Sequence, residues 1–276
     1  MTVPRWARLS ARSAVLLYLA VLLLVPVGLV FYRTFEPGLG AVWDSISTPD
    51  AEHAFWLTIK IAAIAVPLNT VFGVLLALLL ARRRFPGKAL INAIVDLPFA
   101  ISPVVIGLSL LLVYGVNEPI GGWLSDHGIR VIFAMPGMVL ATIFVCIPFV
   151  VREVVPVLRE VGTDQEEAAA TLGASGMQTF WRITLPAIRW GVIYGVILTT
   201  ARAIGEYGAV AVVSGQISGN TETLTLFVKQ QYDQLGTDAR VGAYGASVVL
   251  ILLAIIVVVL MNLLNRKGSG RGYHGV

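Results

Sequence analysis

TDQEEAAATLGASGMQTFWRITLP, residues 163–186, interrupts a chain built otherwise of long uncharged runs. It reads as two short helices. Thr163 and Glu166 have the spacing of a capping box, the hydroxyl accepting from the first turn while the carboxylate reaches back. Ala168, Ala169, Ala170 and Leu172 then favour helix, and Gly173 closes it in the left-handed conformation that other residues resist. Ser175 and Gln178 repeat the box spacing at once. Phe180, Trp181, Ile183 and Leu185 follow, and Pro186 is expected to stop the second helix. The stretch lies within a connection spanning 152–189, and a loop this long in a compact protein has structure or a task of its own. Its apolar side chains either form a site for a partner or pack back on the chain's own helices as an elbow. Local physics leaves both open.

Outward from this knob, uncharged segments give the rest of the architecture. Residues 13–32, 61–81, 97–117, 131–151 and 241–265 carry no charge, and 190–214 is interrupted only by Arg202 and Glu206. Each run covers a hydrocarbon core of about 30 Å at about 1.5 Å per residue. These spacings predict six transmembrane helices in an all-α, polytopic membrane protein. The first is longer than the apolar stretch of a signal peptide and no A-x-A-like site follows, so it is expected to stay as an anchor. Proline and glycine recur inside the runs (Pro26, Pro67, Pro103, Pro148, Gly73, Gly107, Gly191, Gly195). Small residues let membrane helices approach closely, and Gly191-x-x-x-Gly195 is a candidate packing face.

Basic residues orient the spans. Arg5, Arg8, Arg12, Arg82, Arg83, Arg84, Lys88, Arg152, Arg159, Arg182, Arg189, Arg266, Lys267 and Arg271 all fall on one side. Arg33, Arg130, Lys229 and Arg240 fall on the other, with Lys60 near that interface, where it is expected to snorkel. Lysine and arginine accumulate on the cytoplasmic side, which places the 152–189 connection and both termini inside. The net charge of +4 is therefore topological and predicts no nucleic-acid patch.

Composition excludes several other classes. With 57% hydrophobic and 13% charged residues, and a mean hydropathy of +0.83, lipid is the main solvent, since soluble domains carry about 25% charge. The lone Cys146 permits no disulfide within the chain, and His53, His127 and His274 are scattered, so no metal site is expected. No Ser/His/Asp or paired-carboxylate arrangement suggests a membrane enzyme. No G-x-x-x-x-G-K-[ST] loop occurs, so nucleotide phosphates are not cradled by that route.

Two ionisable residues lie deep inside a run. Arg202 stands twelve residues beyond Trp190, about 18 Å along a helix axis. An unpaired arginine there is costly, and Glu206 shares its face at i,i+4. The pair either neutralises itself structurally or lines an anion path with Arg202 as the attractive charge. Exchanging the two charges is the obvious test. Gly205 and Gly208 weaken the helix locally, which suits a gate. Asp96, at the start of the third run, is expected to cap that helix, with Pro98 just inside.

The knob also carries a family resemblance. Glu167-Ala168-Ala169, three residues, Gly173, nine residues, then Ile183-Thr184-Leu185-Pro186 is similar to the EAA motif of permease subunits in bacterial ATP-binding-cassette importers of the type I fold. The resemblance covers the chain from Phe55 to about Leu264. It implies that Glu167, Ala168, Ala169, Gly173, Ile183, Leu185 and Pro186 form a coupling element docking on a separate ATPase. ATP would then bind the partner, and no cofactor this chain. The run from Ala201 through Arg202, Gly205, Glu206, Tyr207 and Gly208, with the stretch holding Pro98, Ser102, Pro103 and Gly107, resembles permeases for tetrahedral oxyanions. Val212-Val213-Ser214-Gly215 and Leu224-Thr225-Leu226 look most like the W-type sulfate/thiosulfate subfamily.

The uncharged runs and the charge bias, with the resemblance for the core, predict a cytoplasmic arm at 1–12, a first span and outer loop at 13–53, a permease core at 54–265 and a tail at 266–276. The resemblance implies a bacterial inner-membrane location. The implied partners are a T-type permease, two ATP-binding cassette subunits and an extracytoplasmic sulfate-binding protein. A molybdate/tungstate permease is the alternative within the family. A free-standing channel or secondary carrier is the alternative outside it, in which an EAA loop would serve no purpose.

Overall fold

Proline and glycine decide where the helices break. A computed structural model describes residues 5–234 and 236–269, so residues 1–4 and 270–276 of the expected arm and tail, with Arg271 and His274, lie outside the described residues. The elements are α1 (Arg5–Phe35), α2 (Leu39–Ile46), α3 (Pro49–Arg82), α4 (Lys88–Ala100), α5 (Pro103–Tyr114), α6 (Pro119–Asp126) and α7 (Met135–Val161). They continue as α8 (Asp164–Thr171), α9 (Gly176–Thr179), a π-helical turn (Phe180–Thr184), α10 (Leu185–Ile204), α11 (Gly208–Val213), α12 (Leu224–Asp233) and α13 (Thr237–Ser269). Among the described residues there is no strand, and five helices are long and apolar enough to cross a membrane. A sixth span results if α4 and α5 are counted as one.

That sixth span corrects the expectation of a straight third helix. α4 and α5 meet at 113°, because Pro103 removes an amide and drives Ser102 into an extended conformation. Asp96 accordingly lies inside α4 and caps nothing. Its carboxylate takes a forked pair from Arg152 of α7, the Nε donating at 2.7 Å. A bidentate guanidinium outcompetes a helix end for the same carboxylate. The fourth span begins at Met135 rather than at 131, with Pro136 in its first turn. Pro186 stops nothing either: the π-helical turn leads directly into α10, and helix runs through it from Gly176 to Ile204. The fifth span ends at Ile204, ten residues before the expected 214.

The core is the three-way packing of α3, α7 and α10. Val74, Ala77 and Leu80 of α3, Val150, Val151, Val154 and Leu158 of α7, and Ile188 of α10 are buried together. Glycines set the spacing. A Cβ on Gly73 would stand 2.7 Å from Val150 Cβ, and one on Gly195 2.8 Å from Val150 Cα. Val150 is thus held between two glycines from two helices, and Gly191 lies along the same seam against the Glu153 carbonyl. α1 packs on α13 and α2, and leaves Leu16, Leu17, Leu23 and Leu24 outward, as a helix against lipid does.

Candidate functional site

The knob is built from local hydrogen bonds. Ser175 Oγ accepts from the Gln178 amide at 3.3 Å, and Gln178 Oε1 accepts from the Ser175 amide at 2.9 Å, so the second capping box forms. Gly173 has φ +83°. The Ala174 amide donates to the Ala169 carbonyl and the Gly173 amide to the Ala170 carbonyl, both at 3.0 Å, which closes α8 as a Schellman motif. The first box does not form. Thr163 makes no cap bond and its hydroxyl donates to Glu167 Oε1 at 2.7 Å. Glu166 has turned inward, where Arg82 Nη2 donates to its Oε1 at 3.0 Å and the Thr184 hydroxyl donates to the same oxygen at 2.9 Å. Two donors in a half-buried place, one of them a guanidinium, outweigh the single exposed amide that a cap offers the same carboxylate.

The motif residues divide by face. Glu167, Ala168, Gly173 and Pro186 are exposed, Ile183 and Leu185 are half-buried, and Ala169 is buried. Beside them the knob presents Leu172, 88% exposed, Met177, 68%, and Trp181, 60%. Leu172 follows α8, while Met177 and Trp181 stand at the start of the helix that runs to Ile204, and the chain itself covers none of the three.

The second cluster lies at the end of α10. Gly205 is its C-cap, and the chain turns before α11 starts at Gly208. Glu206 therefore stands in the break. Its Oε1 accepts from the Ala209 amide at 2.8 Å and its Oε2 pairs with Arg202 Nη1 at 2.6 Å. Its side chain is 1% exposed against 31% for Arg202. The Thr225 hydroxyl donates to the Glu206 carbonyl at 2.7 Å, joining α12 to the same break. α5 closes on α11 from the other side: a Cβ on Gly208 would be 3.0 Å from Pro103 Cβ, and one on Gly107 2.7 Å from the Ala209 carbonyl. The structure thus brings Pro103, Gly107, Arg202, Gly205, Glu206 and Gly208 to one junction. Ser102 sits at the α4–α5 bend, Pro98 is buried before it, and Tyr207 is exposed.

Sequence reasoning missed Arg82, Glu166 and Thr184 as a linked group, and the Asp96–Arg152 pair, because these partners lie far apart in the chain. It also passed over Glu222, in the loop before α12. That side chain is buried, with Oε2 accepting from the Ser218 hydroxyl at 2.9 Å. Burial pushes its carboxyl above the ordinary glutamate value; the Ser218 bond pulls it back and Asp50 adds to the rise.

Comparison with known proteins agrees on one architecture. The family described as binding-protein-dependent transport system inner membrane component matches residues 69–269. The sulfate transport system permease protein CysW of Synechocystis sp. is 52% identical, over 94% of this chain and 92% of its own. CysW of Escherichia coli is 50% identical, over 94% and 88%. A second component, CysT of Escherichia coli, is 38% identical, over 87% and 88%. Among solved structures, a bacterial ABC transporter that imports the acidic polysaccharide alginate superposes with a TM-score of 0.77 at 17% identity, covering 95% of this chain and 96% of that one.

Proposed function

The chain belongs to the family of binding-protein-dependent transport system inner membrane components, and on that premise we propose that it is the W-type permease subunit of an ATP-driven sulfate/thiosulfate importer. One observation carries the reading: identity to W-type sulfate permeases reaches 52% over 94% of the chain, against 38% for a T-type one. The chain would pair with a T-type permease, and the knob's Leu172, Met177 and Trp181 would seat in a separate ATPase. Two ATP-binding subunits, holding the ATP, and an extracytoplasmic sulfate-binding protein complete the assembly. Arg202 and the α5–α11 junction would lie on the anion's route.

Complementation tests this. In cells lacking their own W-type subunit but keeping its partners, the chain should restore growth on sulfate, and labelled sulfate uptake should exceed labelled molybdate uptake at least ten-fold. Restored molybdate uptake with no sulfate uptake would sink the sulfate reading.

Orientation follows from the charge bias, and both ends should be cytoplasmic. Single cysteines placed in a Cys146→Ala background report it with an impermeant thiol reagent. Positions 44 and 126 should label in intact cells and position 175 only after lysis; the reverse pattern would invert the topology.

A further inference from the structure

α8 is a poor candidate to stay in place by packing. Only Ala169 of its eight residues is buried, and its neighbours are α9 and the π-helical turn. Between α8 and the end of α3 lies an open cleft of about 560 Å³, lined by Leu78, Leu79, Arg82, Thr163, Glu166 and Ala170. Across this cleft a single carboxylate makes the connection. Glu166 Oε1 takes Arg82 from α3 and Thr184 from the π-helical turn. Arg82 reaches further, its Nη1 donating to the Leu158 carbonyl of α7 at 2.7 Å. The turn supplies the remaining part of the geometry. Thr184 turns inward, to 5% exposure, while Trp181, three residues earlier in the same wide turn, stays outside.

We propose that Glu166 is the positioning residue through which movement of the knob reaches the spans. It stands beside the motif's own Glu167, which is exposed at the same cleft and takes the Thr163 hydroxyl, and joins the knob to α3 directly, to α7 through Arg82 and to α10 through Thr184. Rigid elements transmit displacement only through contacts that persist as they move, and a charged, half-buried pair with side chains 14% and 23% exposed is such a contact. Without it, α8 would shift into the cleft when the ATPase pulls on the apolar face, and hydrolysis would run without moving the helices. This rests on the reading of the knob as an ATPase-docking element.

The test uses the full complex in proteoliposomes, with the sulfate-binding protein supplied outside the docked face and ATP at the ATPase. Labelled sulfate uptake and phosphate release are measured together. Glu166→Ala should keep the ATPase subunit in the purified complex and raise ATP hydrolysed per anion at least five-fold. Exchanging the charges (Arg82→Glu with Glu166→Arg) is no rescue, because a glutamate at 82 has no donor for the Leu158 carbonyl and the link to α7 is lost. Glu166→Gln, which keeps an acceptor for Thr184 and avoids a cavity, supplies the ratio where the alanine variant accumulates poorly, and should raise it at least three-fold. A ratio within two-fold of wild type in both single variants overturns the proposal. So does loss of the ATPase subunit in step with loss of uptake, which would make Glu166 part of docking itself. A wild-type complex that imports no anion fails the functional reading first, and this one with it.

Discussion

Glu206→Ala should lower the yield of detergent-extracted permease at least ten-fold. Removing this carboxylate leaves Arg202 without its partner and the Ala209 amide of α11 without its acceptor. Breaking a buried pair from one side costs about 3 kcal/mol or more, a large part of a stability of about 5–15 kcal/mol. The charge exchange suggested by the i,i+4 spacing is not a clean test, because an arginine at 206 has no oxygen to offer the Ala209 amide. Neutralising both groups is cleaner. Arg202→Gln with Glu206→Gln keeps a carbonyl at the cap and removes both charges. Its yield should stay within three-fold of wild type while labelled sulfate uptake at matched expression falls at least ten-fold, if Arg202 attracts the dianion. Near-normal uptake would reduce the pair to a structural neutralisation.

Gly107→Val should be as damaging at the other wall of the same junction. Its Cβ would stand 2.7 Å from the Ala209 carbonyl and 2.8 Å from Val212 Cβ. The first of these is backbone and has no rotamer by which to retreat. Overpacking of this kind costs about 1–3 kcal/mol and displaces what it cannot compress. Displacing α11 pulls the Ala209 amide from Glu206, so the strain reaches the ion pair. Uptake should fall at least twenty-fold, with a lower thermal midpoint of the extracted protein. Gly40→Ala is the control: nothing stands within 4 Å of its Cβ on α2, and uptake should be unchanged. Normal uptake by Gly107→Val would mean that α5 and α11 separate freely, against the junction described here.

What was legible in the sequence depended on how local its cause is. The apolar runs gave the spans because bilayer thickness sets their length, and the Gly173 closure and the Ser175 box formed because each lies within one turn. Gly73, Gly191 and Gly195 pointed to close packing, and all three face α7. The errors came where a distant group competed with a local one. Glu166 was read as a cap and Asp96 as a helix start, but arginines from α3 and α7 claimed both carboxylates. Pro186 illustrates a different limit. A proline ends one helix or begins another, and only the preceding residues choose; here the π-helical turn carried the helix through it. The sharp bend at Ser102 follows from Pro103, yet the packing of α5 on α11 joins segments far apart in the chain, which the sequence of α5 does not contain.

The central claim is that this chain moves its anion only as part of an ATP-driven complex. Labelled sulfate uptake into proteoliposomes decides it, measured with the chain alone and with its permease partner, ATPase and binding protein. The account predicts uptake only when all components and ATP are present, and none when ATP or this chain is omitted. Sulfate entry into vesicles holding this chain alone, without ATP, would contradict it and make the protein a channel or carrier.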